Sequence, residues 1–137
     1  MLRPVDAAQA LADLTEISSQ VVQVAIVDGD GAVVASTITP ESRASRFAEG
    51  IGRLVEEADA ARALRGLPGL AQLEAATLEG SVFVVRSPEA PGLTIAATTR
   101  PDPTVGLVFY DLKHCLRSIR EAPPQPAESQ VEADAGP

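Results

Sequence analysis

The sequence predicts an α+β fold, ordered helix, two strands, helix, three strands, helix, on three observations. Two β-branched apolar runs flank Asp28-Gly29-Asp30-Gly31. A long Ala-rich segment with helical periodicity follows Thr39-Pro40, and three short aliphatic runs then precede an amphipathic segment after Pro103. At 137 residues the length suits one domain able to bury a core without staples. Hydrophobic residues make up 45% and aromatics 3%, with no Trp, so that core is built from Val, Leu, Ile and Ala plus three Phe.

The elements follow in order. Ala7, Ala8, Leu11, Leu14 and Ser18 recur at helical spacing behind Asp6, a candidate N-cap, and predict a first helix ending near Gln20. Val21 to Val27 and Ala32 to Ile38 read as strands joined by the Asp-Gly turn into a β-hairpin. In Thr39-Pro40-Glu41 a capping hydroxyl, a proline suited to the first helical position and a first-turn acid announce a helix over 40–64. Its apolar stripe is Phe47, Ile51, Leu54, Val55 and Ala58, and Gly66 with Pro68 stops it. Leu70 to Leu78, Ser81 to Arg86 and Leu93 to Thr98 have the spacing of an antiparallel meander. In the last helix Val105, Val108, Phe109, Leu112, Leu116 and Ile119 line one side. Residues 1–120 form the expected domain. Residues 121–137, with four acids, no bases and several prolines, read as a disordered acidic tail.

Nineteen acids against eleven bases give a net charge of −8, which argues against nucleic acid or an anionic membrane as partner. No secretory h-region and no apolar run of spanning length is present, so no membrane insertion is expected and a cytoplasmic location is the default. A lone Cys, Cys115, excludes an internal disulfide and a multi-cysteine zinc site.

The sequence offers no catalytic constellation. His114 and Cys115 are helix neighbours about 100° apart, a poor dyad geometry. No G-x-S-x-G elbow or phosphate-binding G-x-x-x-x-G-K-[ST] occurs. Asp28-Gly29-Asp30-Gly31 begins like a calcium loop, but its twelfth position is Thr39 where a bidentate Glu is required, so a hairpin turn is the better reading. No cofactor, metal or catalytic residue is assigned.

The second helix is the informative part. Gly50 and Gly52 fall inside it, each costing about 1 kcal/mol relative to Ala. The face opposite Phe47 holds Ser45, Glu49, Gly52, Glu56, Ala60 and Ala63, flanked by Arg46, Gly50, Arg53, Glu57 and Leu64. Side chains this small permit close approach, which makes the face a candidate docking surface for a symmetry mate or a partner. The competing explanation is a solvated helix in a compositionally Ala- and Arg-rich protein. Arg46 and Arg53 can serve an interface or pair locally with Glu49 and Glu57, and their helical position disfavours an arginine-finger role.

The element order, read with VQVAIVDGDGAVVAS over 22–36, the strand pair LEAATLEG and SVFVVRS, GLTIAATT and the helix after Pro103, resembles the Roadblock family, also called the dynein light chain 7 family, over residues 6–120. The bacterial branch is the most similar. The resemblance implies a five-stranded antiparallel sheet with the central helix on one face and the terminal helices on the other. It also implies homodimers that join two sheets, and a non-enzymatic regulator or scaffold of a Ras-like small GTPase. Certain bacterial members activate the GTPase without donating an arginine finger, and others only scaffold. If the strand beginning at Leu70, which includes Leu73, is a sheet edge as the resemblance implies, pairing with a symmetry mate would satisfy its backbone. The alternative function is a small-molecule sensing or general interaction module of the same fold.

Overall fold

The computed structural model describes residues 4–63, 71–86 and 92–121. Its elements are α1 (Pro4–Ile17), β1 (Val21–Val27), β2 (Val33–Ser36), α2 (Glu41–Ala63), β3 (Gln72–Thr77), β4 (Gly80–Arg86), β5 (Thr94–Thr99) and α3 (Val105–Glu121). The strands form one antiparallel sheet in the order β2-β1-β5-β4-β3. Both the hairpin and the meander read from the sequence are present, with β1 closing against β5.

Strand alternation divides the apolar residues between the two faces. Val24, Ile26, Phe83, Val85, Ile95 and Ala97 face α1 and α3, where they pack with Leu11, Leu14, Val108, Leu112, Leu116 and Ile119 in the main core. Phe83 is fully buried and meets Phe109 edge-on, with centroids 4.9 Å apart. On the other face, Ala25 with Ile38 and Ala44, and Val84 with Ala96 and Ile51, make two smaller clusters under α2. The expected placement of central and terminal helices on opposite faces therefore holds.

The turn at 28–31 forms as expected. Oδ1 of Asp28 accepts from the backbone N–H groups of Asp30 (2.9 Å) and Ala32 (3.0 Å), while Gly31 takes a φ of 87°.

Several boundaries and faces differ from expectation. The first helix starts at Pro4, ahead of Asp6, and stops at Ile17, where the Ser18 hydroxyl accepts from the Gln20 N–H. In the second strand Ser36 Oγ accepts from Ile38 N–H and Thr37 Oγ1 from Val24 N–H, so side-chain hydroxyls end the ladder early. The Thr39–Pro40 bond is cis and the helix begins at Glu41, with the Pro40 carbonyl accepting from Arg43 and Ala44 N–H, so Pro40 caps rather than opens it. Ala8 is exposed and Ala10 buried, and Val105 is exposed where the last helix was expected to bury it. Leu78 leaves the strand for the β3–β4 turn and is 97% exposed. Gly66, Pro68 and the segment after Glu121 lie outside the described residues.

Candidate functional site

A helix is about 10 Å wide and strands lie about 4.8 Å apart, so the pair α1 and α3 can cover a five-stranded sheet, whereas α2 alone cannot. Only Ala44, Ala48 and Ile51 of α2 are buried. Phe47, Leu54 and Val55 of the expected stripe, together with Leu73 of β3 and Val82 of β4, pack on the Ile51 cluster but stay half-exposed. The sheet face under α2 thus ends in an incompletely covered apolar margin on the β3 side.

That margin adjoins a free edge. The Arg86 N–H donates to the Ala71 carbonyl (2.8 Å), so by alternation Ala71, Leu73, Ala75 and Thr77 direct their backbone groups at β4. The N–H and C=O groups of Gln72, Glu74 and Ala76 then point outward, where no described strand pairs with them.

The outer face of α2 is as open as the periodicity implies. Arg46, Glu49, Gly52, Arg53, Glu56, Glu57 and Ala60 are exposed or half-exposed, and Gly50 is half-buried. Leu64 and Leu70, the other candidate interface residues, lie outside the described residues, whereas Leu73 faces α2 from the sheet. Among the described residues Arg46 and Arg53 form no ion pair with Glu49 or Glu57, so local pairing does not occupy them. A Cβ built on Gly50 would meet only Arg53 Nη2 at 4.0 Å, and one on Gly52 meets nothing within 4 Å. The chain itself therefore does not require either glycine. Replacing both with Ala should stabilise the isolated protein by about 1–2 kcal/mol in urea denaturation, because helix propensity is gained and no contact is lost.

An ion cluster absent from the sequence reading anchors the far end of α2. Asp59 takes Arg86 on both carboxylate oxygens (2.9 and 3.1 Å) and Arg62 at 2.8 Å. Asp59 and Arg86 lie 27 positions apart, so no spacing rule links them. Beside them an open cavity of about 670 Å³ runs between α2 and the turn at 28–31, lined by Val27, Ile51, Gly52, Val55, Glu56 and Arg86 among others.

Nucleophilic chemistry finds no support at Cys115. Burial, and secondarily the charge of Asp13, push its thiol up to about 12, and its Sγ lies 3.5 Å from the Ala10 carbonyl. His114 is exposed and stacks on Tyr110, not on the thiol. Asp111 is buried, and its carboxyl is raised above the ordinary 3.8 by that burial, with the charge of His114 opposing. A raised acid binds its proton more tightly when folded, so stability rises as pH falls through the folded value, and the gain is complete below the ordinary one. At neutral pH the carboxylate is a net cost. Asp111→Asn should raise the melting temperature at pH 7, and the difference between the two proteins should close as the pH falls below the ordinary 3.8.

No family model matches the chain, and no curated protein matches it. Solved structures do. A Roadblock/LC7 domain from Streptomyces avermitilis superposes with a TM-score of 0.74 at 15% identity, covering 82% of this chain and 93% of that one. MglB from Myxococcus xanthus gives 0.74 at 14% identity over 97% and 96% of the two chains. The gliding protein MglB of Thermus thermophilus gives 0.71 at 12% identity over 85% and 88%.

Proposed function

From the Roadblock/LC7 fold, the level at which the resemblance read from the sequence is borne out, we propose that the protein is a homodimeric, non-enzymatic regulator or scaffold of a Ras-like small GTPase. Two copies join through their β3 edges, and the small-residue face of α2 receives the GTPase and modulates its nucleotide cycle or its location in the cytoplasm. The observation that carries this reading is the unpaired β3 edge bordering the half-covered residues Phe47, Leu54, Leu73 and Val82. An exposed edge and an exposed apolar margin are both liabilities that one partner strand and its helix would cover together. The GTPase as partner rests on the resemblance of the sequence and fold to Roadblock proteins. Among the described residues no helix is long and apolar enough to cross a membrane.

The test is retention of partners from native lysate on the tagged protein, once with a non-hydrolysable GTP analogue and once with GDP. A GTPase enriched in one nucleotide state supports the proposal, and none in either state overturns it. With that GTPase in hand, Gly50→Leu and Arg53→Glu should each weaken binding by about tenfold or more while the circular dichroism spectrum is unchanged. Unchanged affinity for both variants would move the docking surface off α2.

The cavity of about 670 Å³ beneath α2 favours one second reading, a small-molecule sensor, because its size is that of ligand pockets. A melting shift with a metabolite library and no protein partner would select it.

A further inference from the structure

The face opposite α2 carries a second recess. Between α1 and α3 lies a cavity of about 250 Å³, walled by Leu14 and Ile17 on one side and by Asp111, His114 and Cys115 on the other. Asp111 is only 9% exposed and makes no hydrogen bond or ion pair among the described residues, and its carboxylate oxygens keep a small opening to solvent. Asp13 and Glu16 share the cavity with it, so three carboxylates face one imidazole. Of the large apolar side chains left uncovered, Ile17, 66% exposed, lines the cavity, while Tyr110 at 62% and Leu107 at 49% lie outside its lining on α3. Leu107, Tyr110 and His114 follow at spacings of three and four, one face of α3, and the Tyr110 and His114 rings are stacked.

We propose that this recess docks an amphipathic helix of another protein, with a Lys or Arg entering the cavity to meet Asp111 and aliphatic side chains covering Ile17, Leu107 and Tyr110. A carboxylate on a mostly buried residue is incompletely solvated, and a cation brought to it from outside supplies the partner it lacks. A furrow between two helices with mixed apolar and acidic walls fits the helix-in-groove mode of recognition. The charge argues against other occupants. An anionic membrane is repelled by the same carboxylates, and a two-fold contact with a second copy sets the acidic cluster against itself. The chain's own residues 121–137 carry four acids and no base. This inference does not depend on the GTPase reading, which uses the other face.

The experiment titrates a fluorescein-labelled Leu/Lys amphipathic peptide of about five helical turns into the full chain at pH 7, read by anisotropy and by amide shifts of the ¹⁵N-labelled protein. Control peptides carry Glu in place of Lys, or the same Leu and Lys in an order without an apolar face. The Leu/Lys peptide should bind, the controls should not, and shifts should concentrate in residues 10–18 and 105–118. Asp111→Asn and Tyr110→Ser should each weaken binding by about tenfold, and melting curves establish that both variants fold. The proposal fails if the peptide does not bind. Equal binding of the permuted peptide, or no effect of Asp111→Asn, would reduce the result to bulk attraction by an acidic protein and also overturn it. Shifts confined to α2 and β3, or a change of sedimenting mass in the Asp111→Asn protein alone, would do the same by placing the contact elsewhere or between copies.

Discussion

Gly80→Ala should cost about 3 kcal/mol or more in urea denaturation. Gly80 opens β4 with a φ of 148°, and a Cβ built there falls 2.1 Å from the carbonyl oxygen of Thr99. The obstacle is backbone in the neighbouring strand, so no side-chain rotation relieves it. Either β4 or β5 must shift, and both line the main core through Phe83, Val85, Ile95 and Ala97. The local turn would be disturbed as well, since Thr77 Oγ1 donates to the Gly80 carbonyl (2.7 Å) and accepts from Glu79 N–H. Gly31→Ala is the control: its φ is also positive, at 87°, but an added Cβ meets nothing within 4 Å. Only backbone strain of about 1 kcal/mol is expected there. Equal losses at the two positions would show that conformation, not the approach of Thr99, makes Gly80 necessary.

Glu79-Gly80 is readable as a turn because local chemistry dictates it, and the same is true of the hairpin at 28–31 and of the order of elements. What the sequence does not hold is which face of an element meets what. Periodicity places Phe47, Leu54 and Val55 on one stripe, but that they stay half-exposed follows from a lone helix lying over five strands. Val105 falls on the stripe of α3 yet is exposed in the helix's first turn. The candidate docking face was legible, because Arg46, Glu49, Gly52, Arg53, Glu56, Glu57 and Ala60 need only the pitch of one helix to be grouped. The α1–α3 recess was not. It joins Ile17 to Asp111 across a helix pair, and no spacing within either helix encodes their meeting. The Asp59 link between Arg62 and Arg86 is hidden for the same reason.

Ala76→Pro should convert the proposed dimer to a folded monomer, seen as a halved mass in sedimentation with an unchanged circular dichroism spectrum. The logic lies in the alternation along β3. The Ala76 N–H points to the free edge, so a proline there removes no bond of the chain's own sheet, and edge positions of this kind tolerate it. A strand approaching from a second copy would lose that donor and meet the pyrrolidine ring instead. Ala75→Pro tests the same geometry with the opposite sign, because Ala75 pairs with Val82 inside the sheet and its N–H belongs to the β3–β4 ladder. That variant should lower the melting temperature whatever the oligomeric state. If the Ala76→Pro protein stays dimeric and folded, the β3 edge is not the seam, and the half-covered residues Leu54, Leu73 and Val82 would have to meet a different partner surface. If it becomes monomeric and also loses GTPase binding, the docking face needs both copies of α2 side by side. Binding retained by the monomer would instead confine that face to a single helix.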